Sequence, residues 1–310
     1  MKILLPIDGS DHSKHAVQFA GCLGTALGND LLGIALLRVI TGRFMKSFMP
    51  FFDFRSDILK QTDSFKKFKQ RHIDAEINPS LDEGAEILKA AGIALPVERF
   101  IAEGYPSPEI VRIADENHFS TIIMARRGLS PLKGIMLGSV TNMVVHRATG
   151  QTVYIVGQNI SSQGKCPISK ILIPVDGSSF SLRGVEYGAA LAHSLHNIMD
   201  KITLLKVINL SLFEQRLAAK IDGEEEAQKI LHEAKEILLR HGIRDELITT
   251  KICAGDPAEE ILKEATGQNH DTILLGRKGR TAFKDFVLGG VSTTVLQRCF
   301  DQSIAIISSS

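Results

Sequence analysis

Short apolar runs alternate with longer stretches of helical periodicity along the whole chain. In the first half the runs predict strands over 2–7, 31–39, 97–102, 121–125 and 152–156. Helices are predicted over 11–27, 107–117 and 139–147, with a long helical region over 56–92. The second half reads as strands over 170–175, 201–208, 247–253, 271–276 and 303–307, with helices over 179–196, 214–241, 257–268 and 290–299. Strand–helix alternation implies a parallel sheet with helices on both faces. Ligands of such sheets sit beyond the carboxyl ends of the strands. Asp8, Val39, Ala125 and Gly128 all lie at predicted carboxyl ends, so one crevice can collect them.

The pattern is one unit written twice. Lys2-Ile3-Leu4-Leu5-Pro6-Ile7-Asp8-Gly9-Ser10 recurs 168 residues later as Lys170-Ile171-Leu172-Ile173-Pro174-Val175-Asp176-Gly177-Ser178. Leu37-Arg38-Val39-Ile40 recurs at the same offset as Leu205-Lys206-Val207-Ile208. Beyond Gly104, which matches Gly255, the offset is 151, so the first half holds 17 extra residues between Ile40 and Gly104. A unit of this size is a domain, not a solenoid repeat. Domain one is expected over 1–157, a linker rich in Ser, Gln and Gly over 158–169, and domain two over 170–310. The extra segment, near 41–56, carries Phe44, Met45, Phe48, Met49, Phe51, Phe52 and Phe54. It reads as a piece packed on its own sheet or on the other half, or as an apolar cap or partner surface.

Composition narrows the class. The chain of 310 residues is 44% hydrophobic and 23% charged, with a net charge of +1, so it shows no bulk electrostatic footprint for nucleic acid or membrane. No apolar run approaches the ~20 residues of a membrane helix, and the opening residues are no signal peptide. Cys22, Cys166, Cys253 and Cys299 have no paired spacing and read as thiols of a reducing cytoplasm. His193 and His196 could share a helix face, and read as a solvated or packed pair rather than metal ligands.

The candidate chemistry lies in two glycine loops. Ala125-Arg126-Arg127-Gly128, nine residues, then Gly138-Ser139 is matched by Gly276-Arg277-Lys278-Gly279, nine residues, then Gly289-Gly290. Each loop follows an apolar strand and opens a helix. Glycines let backbone N–H groups approach an anion, and a helix start adds free donors and a favourable dipole. A lone glycine pair marks no more than a turn, but two copies at one spacing point to phosphate. Basic residues recur with them as Arg126/Arg277, Arg127/Lys278, Lys133/Lys284 and Arg147/Arg298. The first three pairs are candidate phosphate cations, while Arg147 and Arg298 could serve only a helix C-terminus. Asp8 and Asp176 either form a turn and cap or accept a hydrogen bond from a base amino group or a ribose hydroxyl. Pro6 and Val39 would then wall a slot for a purine, although Val39 alone could be simple core.

These motifs resemble the universal stress protein family across essentially the whole chain, as two tandem domains. The resemblance implies a Rossmann-like α/β fold of the adenine nucleotide alpha-hydrolase-like type, five parallel strands in each half with helices on both faces. Many family members bind ATP, with the strand-one Asp and a strand-two Val at adenine and the glycine loop at the phosphates. On this chain the implied ligand is ATP or AMP, with Mg2+ as its accompanying cation. The expected contacts in half one are Pro6, Ile7, Asp8, Val39, Met124, Ala125, Arg126, Gly128, Gly138, Ser139, Val140 and Thr141. In half two they are Pro174, Val175, Asp176, Val207, Leu275, Gly276, Arg277, Gly279, Gly289, Gly290, Val291 and Ser292. Ala125 departs from the family glycine, and Gly290 from the family Ser. The resemblance also implies that the last strands, Val153 to Val156 and Ile304 to Ile307, meet in an internal pseudo-dimer, with a homodimer as a further level of assembly.

Other nucleotide motifs are absent. No Gly-Lys-Ser/Thr ends either loop, no dinucleotide fingerprint follows strand one, and no Gly-x-Ser-x-Gly elbow occurs. Three functions remain open: a nucleotide-binding regulator of the stress response, a slow ATPase or self-phosphorylating enzyme, and an interaction module with empty or occluded sites. No general base stands out in either loop.

Overall fold

Ile3, Leu4 and Leu5 are all fully buried, which requires strand β1 (Lys2–Pro6) to be covered on both faces. A computed structural model of the chain describes residues 1–41, 62–127, 137–158, 166–209, 223–278 and 288–308. The Phe/Met-rich segment and most of the linker lie outside the described residues.

Half one continues with α1 (Asp11–Leu27), β2 (Gly33–Ile40), α2 (Asp63–His72), α3 (Asn78–Ala90), β3 (Val97–Glu103), α4 (Pro106–Glu116), β4 (Thr121–Ala125), α5 (Ser139–Arg147) and β5 (Thr152–Val156). Half two follows as β6 (Lys170–Pro174), α6 (Ser179–Ser194), β7 (Lys201–Asn209), α7 (Gly223–Arg240), β8 (Ile248–Gly255), α8 (Pro257–Gly267), β9 (Thr272–Gly276), α9 (Gly290–Arg298) and β10 (Ser303–Ile307). In its described part the long helical region of half one runs from Asp63 to Ala90 with a π-turn at Ile73–Ile77. Pro79 sits in the next turn and has no N–H to donate, a local cause of the change in register.

The ten strands of the described residues form one sheet in the order β3-β2-β1-β4-β5-β10-β9-β6-β7-β8. Each half is parallel internally, and the halves join where β5 and β10 pair antiparallel with Tyr154 opposite Ala305. The expected meeting of the last strands is therefore observed, and the chain covers two sheet edges with its own second copy. Two apolar layers flank the sheet and run across this seam. Leu5 and Ile173 share one layer with α1 and α6, and Leu4 and Leu172 share the other with α5 and α9. Cys22 on α1 and Cys166, just before β6, are joined as a disulfide with Cα atoms 5.6 Å apart. That pairing corrects the reading of four scattered thiols, because a separation of 144 residues hides it from spacing rules. Among the described residues no helix is long and apolar enough to cross a membrane.

Candidate functional site

Register brings the predicted residues to one level in each half. Pro6 pairs with Leu37, so Asp8 stands level with Val39; Leu4 pairs with Ile122, so Ala125 stands level with Ile7. The same offsets place Asp176 with Val207 and Gly276 with Val175. These positions flank the point where strand order reverses, between β1 and β4 and between β6 and β9, where an open α/β sheet leaves its crevice. Gly9 and Gly177 turn the chain out of the sheet with φ of +83° and +81°, a region costly for any other residue. Asp8 Oδ1 accepts from the Ser10 N–H at 3.0 Å, and Ser10 Oγ accepts from the Ser13 N–H at 3.1 Å to cap α1. Asp176 and Ser178 repeat this arrangement at 2.9 and 3.1 Å. The turn-and-cap role is thus present, and it fixes each Asp at the mouth of its crevice.

Each loop is closed at its neck by the backbone. Gly138 N–H donates to the Arg126 carbonyl, and Gly289 N–H to the Arg277 carbonyl, both at 2.9 Å. Thr141 Oγ1 donates to the Ala125 carbonyl at 3.0 Å, and Ser292 Oγ to the Gly276 carbonyl at 2.9 Å. These bonds hold the first turns of α5 and α9 against the ends of β4 and β9. Helices α1, α2, α6 and α8 receive a side-chain cap from Ser10, Thr62, Ser178 and Asp256, whereas α5 and α9 begin after Gly138 and Gly289, which have no side chain to offer. Among the described residues their first-turn amides meet no side-chain cap, and the residues present fit a phosphate group. Ser139 is exposed there, and a Cβ placed on Gly290 would meet nothing within 4 Å. Val140 is half-buried and Val291 is exposed on the same first turns, while Met124 and Leu275 are core residues. Gly128, Gly279, Lys133 and Lys284 lie outside the described residues.

Both loop arginines reach across to the opposite half. Arg277, only 1% exposed, sends its guanidinium into the other half. It donates through Nη1 to the Ala148 carbonyl at 2.9 Å, and through Nη2 to those of Val145 and His146 at 2.5 and 2.8 Å, at the C-terminus of α5. Arg126 mirrors it, donating to the Leu296 and Gln297 carbonyls at the end of α9 and stacking 4.9 Å from the Phe300 ring centroid. Burial lowers both guanidinium pKa values. These cations complement the negative ends of helices, where unpaired carbonyls need donors.

A sequence model of the universal stress protein family matches residues 1–156 and again residues 167–300. The chain belongs to the universal stress protein family. Among curated relatives, it is similar to universal stress protein MJ0531 of Methanocaldococcus jannaschii, 28% identical over 151 residues, covering 46% of this chain and 85% of that protein. It is also similar to YxiE of Bacillus subtilis, 29% identical over 139 residues, covering 42% and 92%. A solved universal stress protein from Archaeoglobus fulgidus spans both halves, with a TM-score of 0.70, 24% identity, and coverage of 100% of this chain and 98% of that one. That likeness establishes the tandem fold.

Within this universal stress protein the two halves differ beside the crevice. Gly276 has no positive φ; a Cβ there would lie 2.6 Å from the Phe180 carbonyl, so close approach of α6 is what demands glycine. Half one has Ala125 at this place, next to a cavity of about 160 Å3 whose walls include His12, His15, Arg127 and Phe300 but none of Asp8, Val39 or Gly138. In half two the counterparts of His12, His15 and Arg127 are Phe180, Arg183 and Lys278. The Phe180 ring has Arg183 at 4.7 Å and Lys278 at 5.7 Å from its centroid. Sequence reasoning also missed Arg38, which donates through Nη1 to the Ile7 carbonyl at 3.3 Å. Burial lowers its pKa while Asp8 and Glu76 oppose that shift. Its signal was present: a cation recurs there as Lys206, itself 3% exposed.

Proposed function

We propose that this universal stress protein is a regulatory adenine-nucleotide binder of the stress response, with a crevice for ATP or AMP in each half. The observation that carries the reading is the repeated meeting of an aspartate corner with an uncapped helix start at the carboxyl ends of β1, β2 and β4, and of β6, β7 and β9. Asp8 and Asp176 would accept from the base amino group or a ribose hydroxyl. Pro6 with Val39, and Pro174 with Val207, would wall the apolar slot for the purine. The first-turn amides of α5 and α9, together with the glycine loops, would hold the phosphates, and Mg2+ would balance their charge when ATP is bound.

The reading is of a binder rather than an enzyme. The half-one loop from Ala125 to Ser139 contains no carboxylate and no histidine to activate a water. The cytoplasm is the proposed compartment, and there the Cys22–Cys166 disulfide would be reduced to two neighbouring thiols. Mass spectrometry of small molecules released from the purified native chain tests the proposal. Adenine nucleotide at a stoichiometric level supports it. Its absence, together with no calorimetric response to ATP or AMP, contradicts it. Phosphate release with magnesium at rates above background would instead favour the slow ATPase.

A further inference from the structure

We infer that Arg126 and Arg277 couple the two crevices, each positioning the helix start that forms the phosphate site of the opposite half. The functional consequence rests on the nucleotide reading above; the mechanical link does not.

The path is short and made of contacts already described. The Arg277 carbonyl accepts from the Gly289 N–H, so its backbone is tied to the start of α9. Its side chain crosses the seam to three carbonyls at the end of α5: Val145, His146 and Ala148. Helix α5 has nine residues, from Ser139 to Arg147. At 1.5 Å per residue that is roughly 13 Å, too short to bend and absorb a displacement. Its far end is the Gly138–Ser139 start where half one presents its free amides. A displacement of the Arg277 backbone therefore acts through its side chain on the register and tilt of α5, and so on the half-one donors. Arg126 makes the reverse connection through α9 to the start at Gly289–Gly290. A planar guanidinium can serve several carbonyls at once, which an ammonium cannot match in geometry.

An arginine that merely glued the halves together would, when removed, lower stability and affect both crevices alike. Positioning predicts a crossed effect. In a Gly279→Val protein, where the half-two loop is disabled and ATP reports on half one, adding Arg277→Ala is expected to weaken binding about tenfold, although Arg277 belongs to half two. Arg277→Lys should recover part of that loss. In a Gly128→Val protein, Arg126→Ala is expected to weaken half two by a similar factor. Unchanged affinity of the surviving half in both pairs overturns the inference.

Hydrogen exchange on the nucleotide-free protein decides the mechanical link independently. Arg277→Ala should speed exchange in residues 139–147 more than in 290–298, and Arg126→Ala should do the reverse. Equal changes, or none, overturn the coupling; if alanine prevents folding, Arg277→Lys and Arg126→Lys are read in the same way. A wild-type chain that binds no nucleotide but shows the crossed exchange pattern would refute the nucleotide reading and leave the coupling standing.

Discussion

The hydroxyl of Tyr154 on β5 lies 3.0 Å from that of Tyr187 on α6, so the last strand of half one is bonded to the first helix of half two. Tyr154 is fully buried, and burial raises its pKa well above the usual tyrosine value. Replacing Tyr187 by Phe strands the Tyr154 hydroxyl without its partner. The expected cost is about 1–3 kcal/mol, the penalty for a buried unsatisfied group. The double replacement of Tyr154 and Tyr187 by Phe should cost less than the sum of the single replacements. Urea unfolding of the three proteins checks this, and additive effects would show that the two hydroxyls are energetically independent.

Most of this architecture was legible in the sequence because its signals are local. The helix expected over 11–27 is observed as Asp11–Leu27, where Ser10 supplies the cap, and the one over 139–147 is observed as Ser139–Arg147. The Asp-Gly-Ser corners and the uncapped helix starts were readable for the same reason: type and spacing decide them. The destinations of Arg126 and Arg277 were not readable. A cation beside a glycine loop looks the same whether it faces the loop or crosses a seam, and only the antiparallel pairing of β5 with β10 brings the opposite helix end within reach. The engagement of Ser292 was hidden likewise, since its hydroxyl donates back to the Gly276 carbonyl.

Close approach, not backbone conformation, fixes Gly276. Alanine there places a methyl 2.6 Å from the Phe180 carbonyl and forces α6 outward. Gly276→Ala is expected to destabilise the protein by about 1–3 kcal/mol, the usual range for overpacking. Chemical denaturation reads this directly, and an unchanged midpoint would show that the contact relaxes freely.

Half one is expected to bind nucleotide more tightly than half two. Ser139 offers an exposed hydroxyl at the helix start, whereas Gly290 has none and Ser292 is engaged with Gly276. A hydrogen bond to a charged phosphate contributes roughly 1.5–3 kcal/mol, partly offset by Ala125 in half one, leaving a difference of about 1 kcal/mol or roughly fivefold in affinity. Calorimetry on Gly128→Val and Gly279→Val separately ranks the halves. Tighter binding by the protein with only half two intact reverses the ranking.

Acid should weaken the packing around His270. His270 is 3% exposed, with Nε2 2.9 Å from Thr203 Oγ1, and burial lowers its pKa below 6.5. The folded state favours the neutral ring, so this contribution is complete above pH 6.5 and is lost as the pH falls below that value toward the folded-state pKa. The half-one counterpart is Phe119, which does not titrate. His270→Phe should flatten the decline in unfolding free energy between about pH 7 and about pH 5. An identical decline in wild type and variant would remove His270 from the account.

Native mass spectrometry of the intact chain with ATP tests the central claim most directly, because it counts ligands on one molecule. The prediction is two successive additions of one nucleotide at saturation, reduced to one by either Gly128→Val or Gly279→Val. A chain that stays at its apo mass at saturating ATP, while calorimetry also shows no heat of binding, would contradict the assignment of these crevices to adenine nucleotide.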